Sequence, residues 1–119
     1  MGSVLVIDDE PDVRDLVADM LASSGHRVTV ASGGREGLAR LRERAYDLVL
    51  TDLAMPDVGG WEVARAVKTV RRDIPVLLLT GLADPVESPA SGLVDGILRK
   101  PFGVDELADA VATALARVG

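Results

Sequence analysis

Residues 4–11 read Val4-Leu5-Val6-Ile7-Asp8-Asp9-Glu10-Pro11. Four apolar residues without a break suit a strand buried on both faces, as in a parallel sheet. The abrupt change to acids ends that strand, and proline is at home in the first turn of a following helix. The helix itself shows in Val13, Leu16, Val17, Met20 and Leu21, which keep the i, i+3, i+4, i+7, i+8 spacing. Gly25 is its C-terminal stop. A buried strand feeding an amphipathic helix is half of a crossover unit, and the rest of the chain repeats the theme.

Leu48-Val49-Leu50 and Val76-Leu77-Leu78-Leu79 are further unbroken apolar runs. Val28-Thr29-Val30 alternates instead and suits one sheet edge, while the short Ile97-Leu98 run suits the other. Helical periods lie between them: Leu38 and Leu41 in an Arg-rich segment, then Val63, Val67 and Val70, and last Leu107, Val111, Leu115 and Val118. The order is β-α-β-α-β-α-β-(α)-β-α, which means crossover connections and helices on both faces of the sheet. The expected fold is therefore α/β and doubly wound: a five-stranded parallel sheet of order 2-1-3-4-5, the flavodoxin-like arrangement. The fourth helix is the weak element. Residues 82–94 hold Pro85, Pro89 and Gly92, and an interior proline costs a helix about 3 kcal/mol. That segment is expected to be short or irregular, one turn or a loop.

The chain has 119 residues, of which 48% are hydrophobic, enough for one core. No repeat or linker divides it, so residues 1–119 are expected to form a single domain. There is no cysteine and one histidine, which excludes disulfides, thiolate metal sites, cysteine catalysis and His-cluster metal sites. A net charge of −6 argues against direct nucleic-acid binding. No apolar run approaches the roughly 18 residues of a membrane span, and the N-terminus has no signal-peptide pattern. A cytoplasmic setting without membrane partners is expected.

In a parallel sheet the C-terminal ends of all strands lie on one edge, and ligands bind there. The first run ends in Asp8-Asp9, the third in Thr51-Asp52, the fourth in Thr80-Gly81 and the fifth in Arg99-Lys100-Pro101. Topology alone thus brings three carboxylates, a hydroxyl and an ammonium to one rim. Two carboxylates about 5 Å apart repel by roughly 3 kcal/mol at an effective dielectric near 20, so cations must be close. Lys100 supplies one charge, and Mg²⁺, a hard ion held by oxygens, would supply more. A carboxylate beside such cations is equipped to accept a phosphoryl group. Asp52 is the natural nucleophile, with Asp8 and Asp9 as natural metal ligands.

These residues resemble the receiver domain of two-component response regulators. The resemblance rests on Val-Leu-Val-Ile-Asp8-Asp9-Glu10-Pro11, Asp52-Leu-Ala-Met55-Pro56-Asp-Val-Gly-Gly60, Thr80-Gly81 and Lys100-Pro101-Phe102, and it covers essentially the whole chain. It implies that Asp52 accepts a phosphoryl group from a histidine kinase or phosphotransfer protein. It also implies that Asp9, Asp52 and the backbone carbonyl of Ala54 bind Mg²⁺, with Asp8 acting mainly through water. Thr80 and Lys100 would hold the phosphoryl oxygens, the Lys100-Pro101 bond would be cis, and Gly81 would keep the site open to the donor. Ala54 and Leu82 fall where the family tunes phosphoryl lifetime. Such a domain promotes its own phosphorylation and dephosphorylation but is no enzyme with a separate substrate. No output module is expected within these residues, so the reading is a stand-alone receiver or one excised from a larger protein with a fused kinase or output domain.

Two departures stand out. Receivers usually carry Tyr or Phe three residues before the lysine, and here that position is Ile97. The Pro-rich 82–94 segment also replaces a regular fourth helix. Phosphorylation is expected to be retained and its readout to differ. Rival readings are a small aspartyl-nucleophile phosphatase and a pseudo-receiver that only docks. The first lacks an acid at Ala54 and room for a cap domain, and the intact Asp8, Asp9, Asp52, Thr80 and Lys100 weigh against the second. A flavin carrier would need a hydroxyl-rich phosphate loop and an aromatic sandwich, which the sequence lacks. Taken singly, Asp9 reads as a helix cap, His26 as a solvated loop residue, Gly33-Gly34 and Gly59-Gly60 as turns, and Met55 as a loop anchor. Trp61 reads as half-buried at the start of the third helix.

Overall fold

In the computed structural model, residues 2–81 and 91–116 are described. Five strands, β1 (Ser3–Ile7), β2 (Arg27–Ala31), β3 (Leu48–Asp52), β4 (Val76–Thr80) and β5 (Gly96–Arg99), form one sheet of order 2-1-3-4-5. Every neighbouring pair is parallel. Four helices connect and cover them: α1 (Pro11–Ser23), α2 (Gly34–Glu43), α3 (Gly60–Val70) and α4 (Val104–Ala116). The expected α/β doubly wound topology is the one found.

The apolar runs are unbroken because both faces of the sheet are covered. Val4, Val6, Leu48, Leu50, Leu77 and Leu79 point to one side, where they pack with Val17 and Leu21 of α1 and Leu107 and Val111 of α4. Leu5, Ile7, Val49 and Val76 point to the other, against Leu41 of α2 and Val63, Ala64 and Val67 of α3. Strands β2 and β5 lie at the edges and are partly exposed, as their weaker patterns predict.

Local signals hold with a few corrections. Pro11 opens α1, and Gly25 closes it with φ of 92°. The closing bonds run from His26 N–H to Leu21 O and from Gly25 N–H to Ala22 O, the Schellman pattern. Leu16, placed on the buried stripe by spacing, is 52% exposed. At about 100° per residue it sits a quarter-turn or more from Val17, which faces the sheet squarely. Val70, the last residue of α3, is also exposed. His26 is half-buried rather than solvated, and its Nδ1 accepts a hydrogen bond from Gly2 N–H. Gly34 and Gly60 are first helical residues, not turn residues, and both are there for close approach. A Cβ on Gly34 would fall 2.4 Å from Val58 O, and one on Gly60 2.4 Å from Asp52 O. Of the segment 82–94, expected to be short or irregular, residues 82–90, with Leu82, Pro85 and Pro89, lie outside the described residues. Ser91–Leu93 form one turn of 3-10 helix. Among the described residues no helix is long and apolar enough to cross a membrane.

Candidate functional site

Four of the five strand ends at the carboxyl edge, those of β1, β3, β4 and β5, deliver a polar side chain. Asp8 follows β1 and is wholly buried, Asp52 ends β3 at 4% exposure, and Thr80 ends β4, also buried. β3 and β4 pair in parallel with Asp52 beside Leu79, so Thr80 lies one step further along the same edge. Its hydroxyl donates to Gly81 O at 3.3 Å. Lys100 follows β5, with its N–H on Thr80 O at 2.7 Å and a cis bond to Pro101.

Lys100 is the centre of the site. Its Nζ donates to Asp8 Oδ2 at 3.2 Å, Glu10 Oε1 at 3.2 Å and Asp52 Oδ1 at 3.3 Å. Asp8 is steadied further, its Oδ1 accepting from Glu10 N–H at 2.9 Å. Asp52 Oδ1 accepts from Leu53 N–H at 3.0 Å. Burial pushes the Asp52 carboxyl up to about 6, and the nearby Asp8 charge adds to this; Lys100 opposes both, and a hydrogen-bonding approach of Asp9 raises it further. Burial works against the Lys100 ammonium, but Asp8 and Asp52 outweigh it and hold the lysine above its ordinary value. Lysine therefore stays charged, while burial and the Asp8 charge loosen the hold of Asp52 on its own charge.

Carboxylate oxygens of Asp8, Glu10 and Asp52 all lie within 4.8 Å of one another. With all three ionised, Lys100 leaves an excess of two negative charges. Hard oxygen donors at this spacing fit a Mg²⁺ ion, whose opposite ligands stand about 4 Å apart. Glu10 is the member that sequence reasoning gave no role. Its backbone is extended (φ −92°, ψ 109°), a conformation that the spacing of residues does not announce. Asp8 and Glu10 both meet the lysine, while Asp9, exposed and outside this trio, approaches Asp52 instead. Asp9 is not the N-cap of α1 either; that position is Glu10, which makes no side-chain cap bond.

The loop from Asp52 to α3 is pinned at both ends. Leu53 N–H donates to Leu79 O, and Gly60 N–H to Leu53 O, both at 2.9 Å. Met55 is buried in the α2/α3 core as the expected anchor, and Ala54, between these two fixed points, is exposed. Trp61 is half-buried at the start of α3. Ile97, at the position of the family's aromatic, is 41% exposed on β5.

A doubly wound parallel sheet with paired acids and a lysine at its carboxyl edge places the chain in the flavodoxin-like class of α/β domains. Residues 4–112 match the family model of the response regulator receiver domain. The chain is 34% identical over 98% of its length to the probable transcriptional regulatory protein TcrX of Mycobacterium tuberculosis, of which it covers 51%. A response regulator receiver domain from Clostridium thermocellum superposes with a TM-score of 0.90 at 30% identity, covering 98% of this chain and 96% of that one. TrrA from Thermotoga maritima, in complex with Mg(2+)-BeF, gives 0.85 at 33% identity, with coverage of 97% and 100%. The chain belongs to the response regulator receiver domain family of two-component systems. It spans about half the length of TcrX.

Proposed function

We propose that this chain is a Mg²⁺-dependent phosphoacceptor switch with Asp52 as the acceptor. The observation that carries the reading is the Lys100 ammonium shared by Asp52 and Asp8 at 3.2–3.3 Å. An oxygen of Asp52 forms the bond to phosphorus as the P–N bond of a donor phosphohistidine breaks, and the imidazole leaves with the electron pair. Lys100 turns from the carboxylates toward the arriving phosphoryl oxygens, and Thr80 offers its hydroxyl to them. Asp8, Asp9, Asp52 and the Ala54 carbonyl would hold Mg²⁺, with Glu10 beside them. When bound, the ion supplies positive charge to the phosphoryl oxygens.

The donor is a histidine kinase or phosphotransfer protein, and the domain turns over no separate metabolite. A single receiver over residues 1–119, working in the cytoplasm, suits these partners; TcrX, about twice as long, suggests a fused output module in the full-length protein. Ile97 has no ring to rotate against Thr80, so the readout differs from the usual aromatic relay.

The test is incubation with a small-molecule phosphodonor and Mg²⁺, followed by intact mass. One added phosphoryl group is expected on the wild type and none on Asp52→Asn. Equal labelling of both would sink the assignment.

A further inference from the structure

Helix α2 starts without a cap of its own. Its N-cap is Gly33, which has no side chain, and the first N–H groups of a helix need outside acceptors. Asp57 provides them from the loop that follows Asp52. Its Oδ1 accepts from Gly34 N–H at 3.2 Å and its Oδ2 from Arg35 N–H at 3.1 Å, while Oδ1 also takes Val58 N–H at 2.7 Å. The backbone N–H groups of Arg35, Val58 and Gly34 hold the Asp57 carboxyl below the usual range.

The junction is tight. A Cβ on Gly33 would lie 3.0 Å from Asp57 Oδ2, and one on Gly34 would meet Val58 Cβ at 2.5 Å. The other cap at this helix end is separate: Ser32 N–H and Oγ both donate to Glu36 Oε1, at 2.6 and 2.9 Å, without touching the loop.

Three fixtures thus hold residues 53–59. Leu53 is tied to β4, Met55 is sunk in the core, and Asp57 is fastened to α2. Ala54 sits between the first two, and in the returning half before Gly60 the Asp57 carboxylate adds its hydrogen bonds to the packing of Val58 against the core. We infer that Asp57 is a positioning residue: by capping α2 it fixes the 53–59 loop, and with it the Ala54 carbonyl, where a Mg²⁺ ion needs an oxygen. The inference rests on the Mg²⁺-dependent reading above.

The test is calorimetric titration of Mg²⁺ into the wild type, Asp57→Ala and Glu36→Ala, with urea unfolding of each. Both variants strip a cap from the same helix end, so both are expected to unfold at lower urea. Only Asp57→Ala should lose Mg²⁺ affinity, by about tenfold, the scale seen when a ligand's supporting contact is removed. An unchanged affinity in Asp57→Ala, or an equal loss in Glu36→Ala, overturns the inference and leaves the Mg²⁺ reading standing. A wild type that binds no Mg²⁺ overturns both. Should Asp57→Ala not fold, Asp57→Asn, which keeps one good acceptor, is expected to show a smaller loss of Mg²⁺ affinity in the same direction, and no loss overturns the inference.

Discussion

Lys100 Nζ and Asp52 Oδ1, from residues 48 apart in sequence, stand 3.3 Å from each other with both side chains largely shielded from water. The lysine is bound to Asp8 as well, so one ammonium separates two buried carboxylates.

Replacing that ammonium should expose the repulsion it hides. Lys100→Met is expected to lower metal-free stability at pH 8 by on the order of 3 kcal/mol, the usual cost of stripping one partner from a buried ion pair. Near pH 5 the loss should be smaller, because Asp52 takes up a proton instead. Urea unfolding at the two pH values checks this. A pH-independent loss would contradict it.

The folded Asp52 carboxyl, at about 6, binds its proton more tightly than an unfolded one at 3.8. Its contribution to stability is thus fully present below 3.8 and is lost as pH rises through 6, by on the order of 3 kcal/mol in metal-free buffer. Lys100, raised from an already high value, stays protonated across this window and adds no slope. Asp52→Asn should flatten the profile and stabilise the protein at pH 7. Urea midpoints between pH 4 and 7 in chelator measure the effect.

Mg²⁺ should reverse that penalty. An ion at ten times its dissociation constant adds about 1.4 kcal/mol of stability. Thermal unfolding is expected to shift upward with Mg²⁺ and return on chelation. Asp8→Asn should abolish most of the shift, and Trp61 fluorescence gives an independent titration. An undiminished shift in Asp8→Asn would remove Asp8 from the cation site.

Gly60 is closed to any side chain. Alanine favours a helix over glycine by about 1 kcal/mol, yet a Cβ here would press on the backbone carbonyl of Asp52 at 2.4 Å and on Leu53 Cα at 2.9 Å. Gly60→Ala is expected to cost about 2 kcal/mol or more in urea unfolding and to slow phosphorylation. A stabilised Gly60→Ala protein would show that the loop yields easily.

The readout is testable by backbone chemical shifts with and without a beryllofluoride phosphoryl mimic. Changes are expected around residues 8–10, 52–60, 80–81 and 100. A spread over all of 82–105, as in a receiver with a rotating aromatic, would defeat the idea that Ile97 marks a different relay.

The sequence by itself determined the sheet and its rim. Unbroken runs such as Val4–Ile7 and Val76–Leu79 mark strands buried on both faces, and helical periods between them force parallel crossovers. Once the strands are parallel, Asp8, Asp52, Thr80 and Lys100 must meet, since each follows or ends its strand at the same edge. Spacing could not decide which neighbouring acid meets which partner. Asp9 and Glu10 differ by one residue, yet Glu10 bonds the lysine while Asp9 approaches Asp52. Nor could spacing find Asp57, whose partners Gly34 and Arg35 lie more than 20 residues away, or show that Gly34 and Gly60 are needed for contact rather than for turning. The periodicity of a chain fixes which face a side chain takes within its own element. Contacts between loops and helix ends depend on how whole elements stack, and only the folded structure decides those.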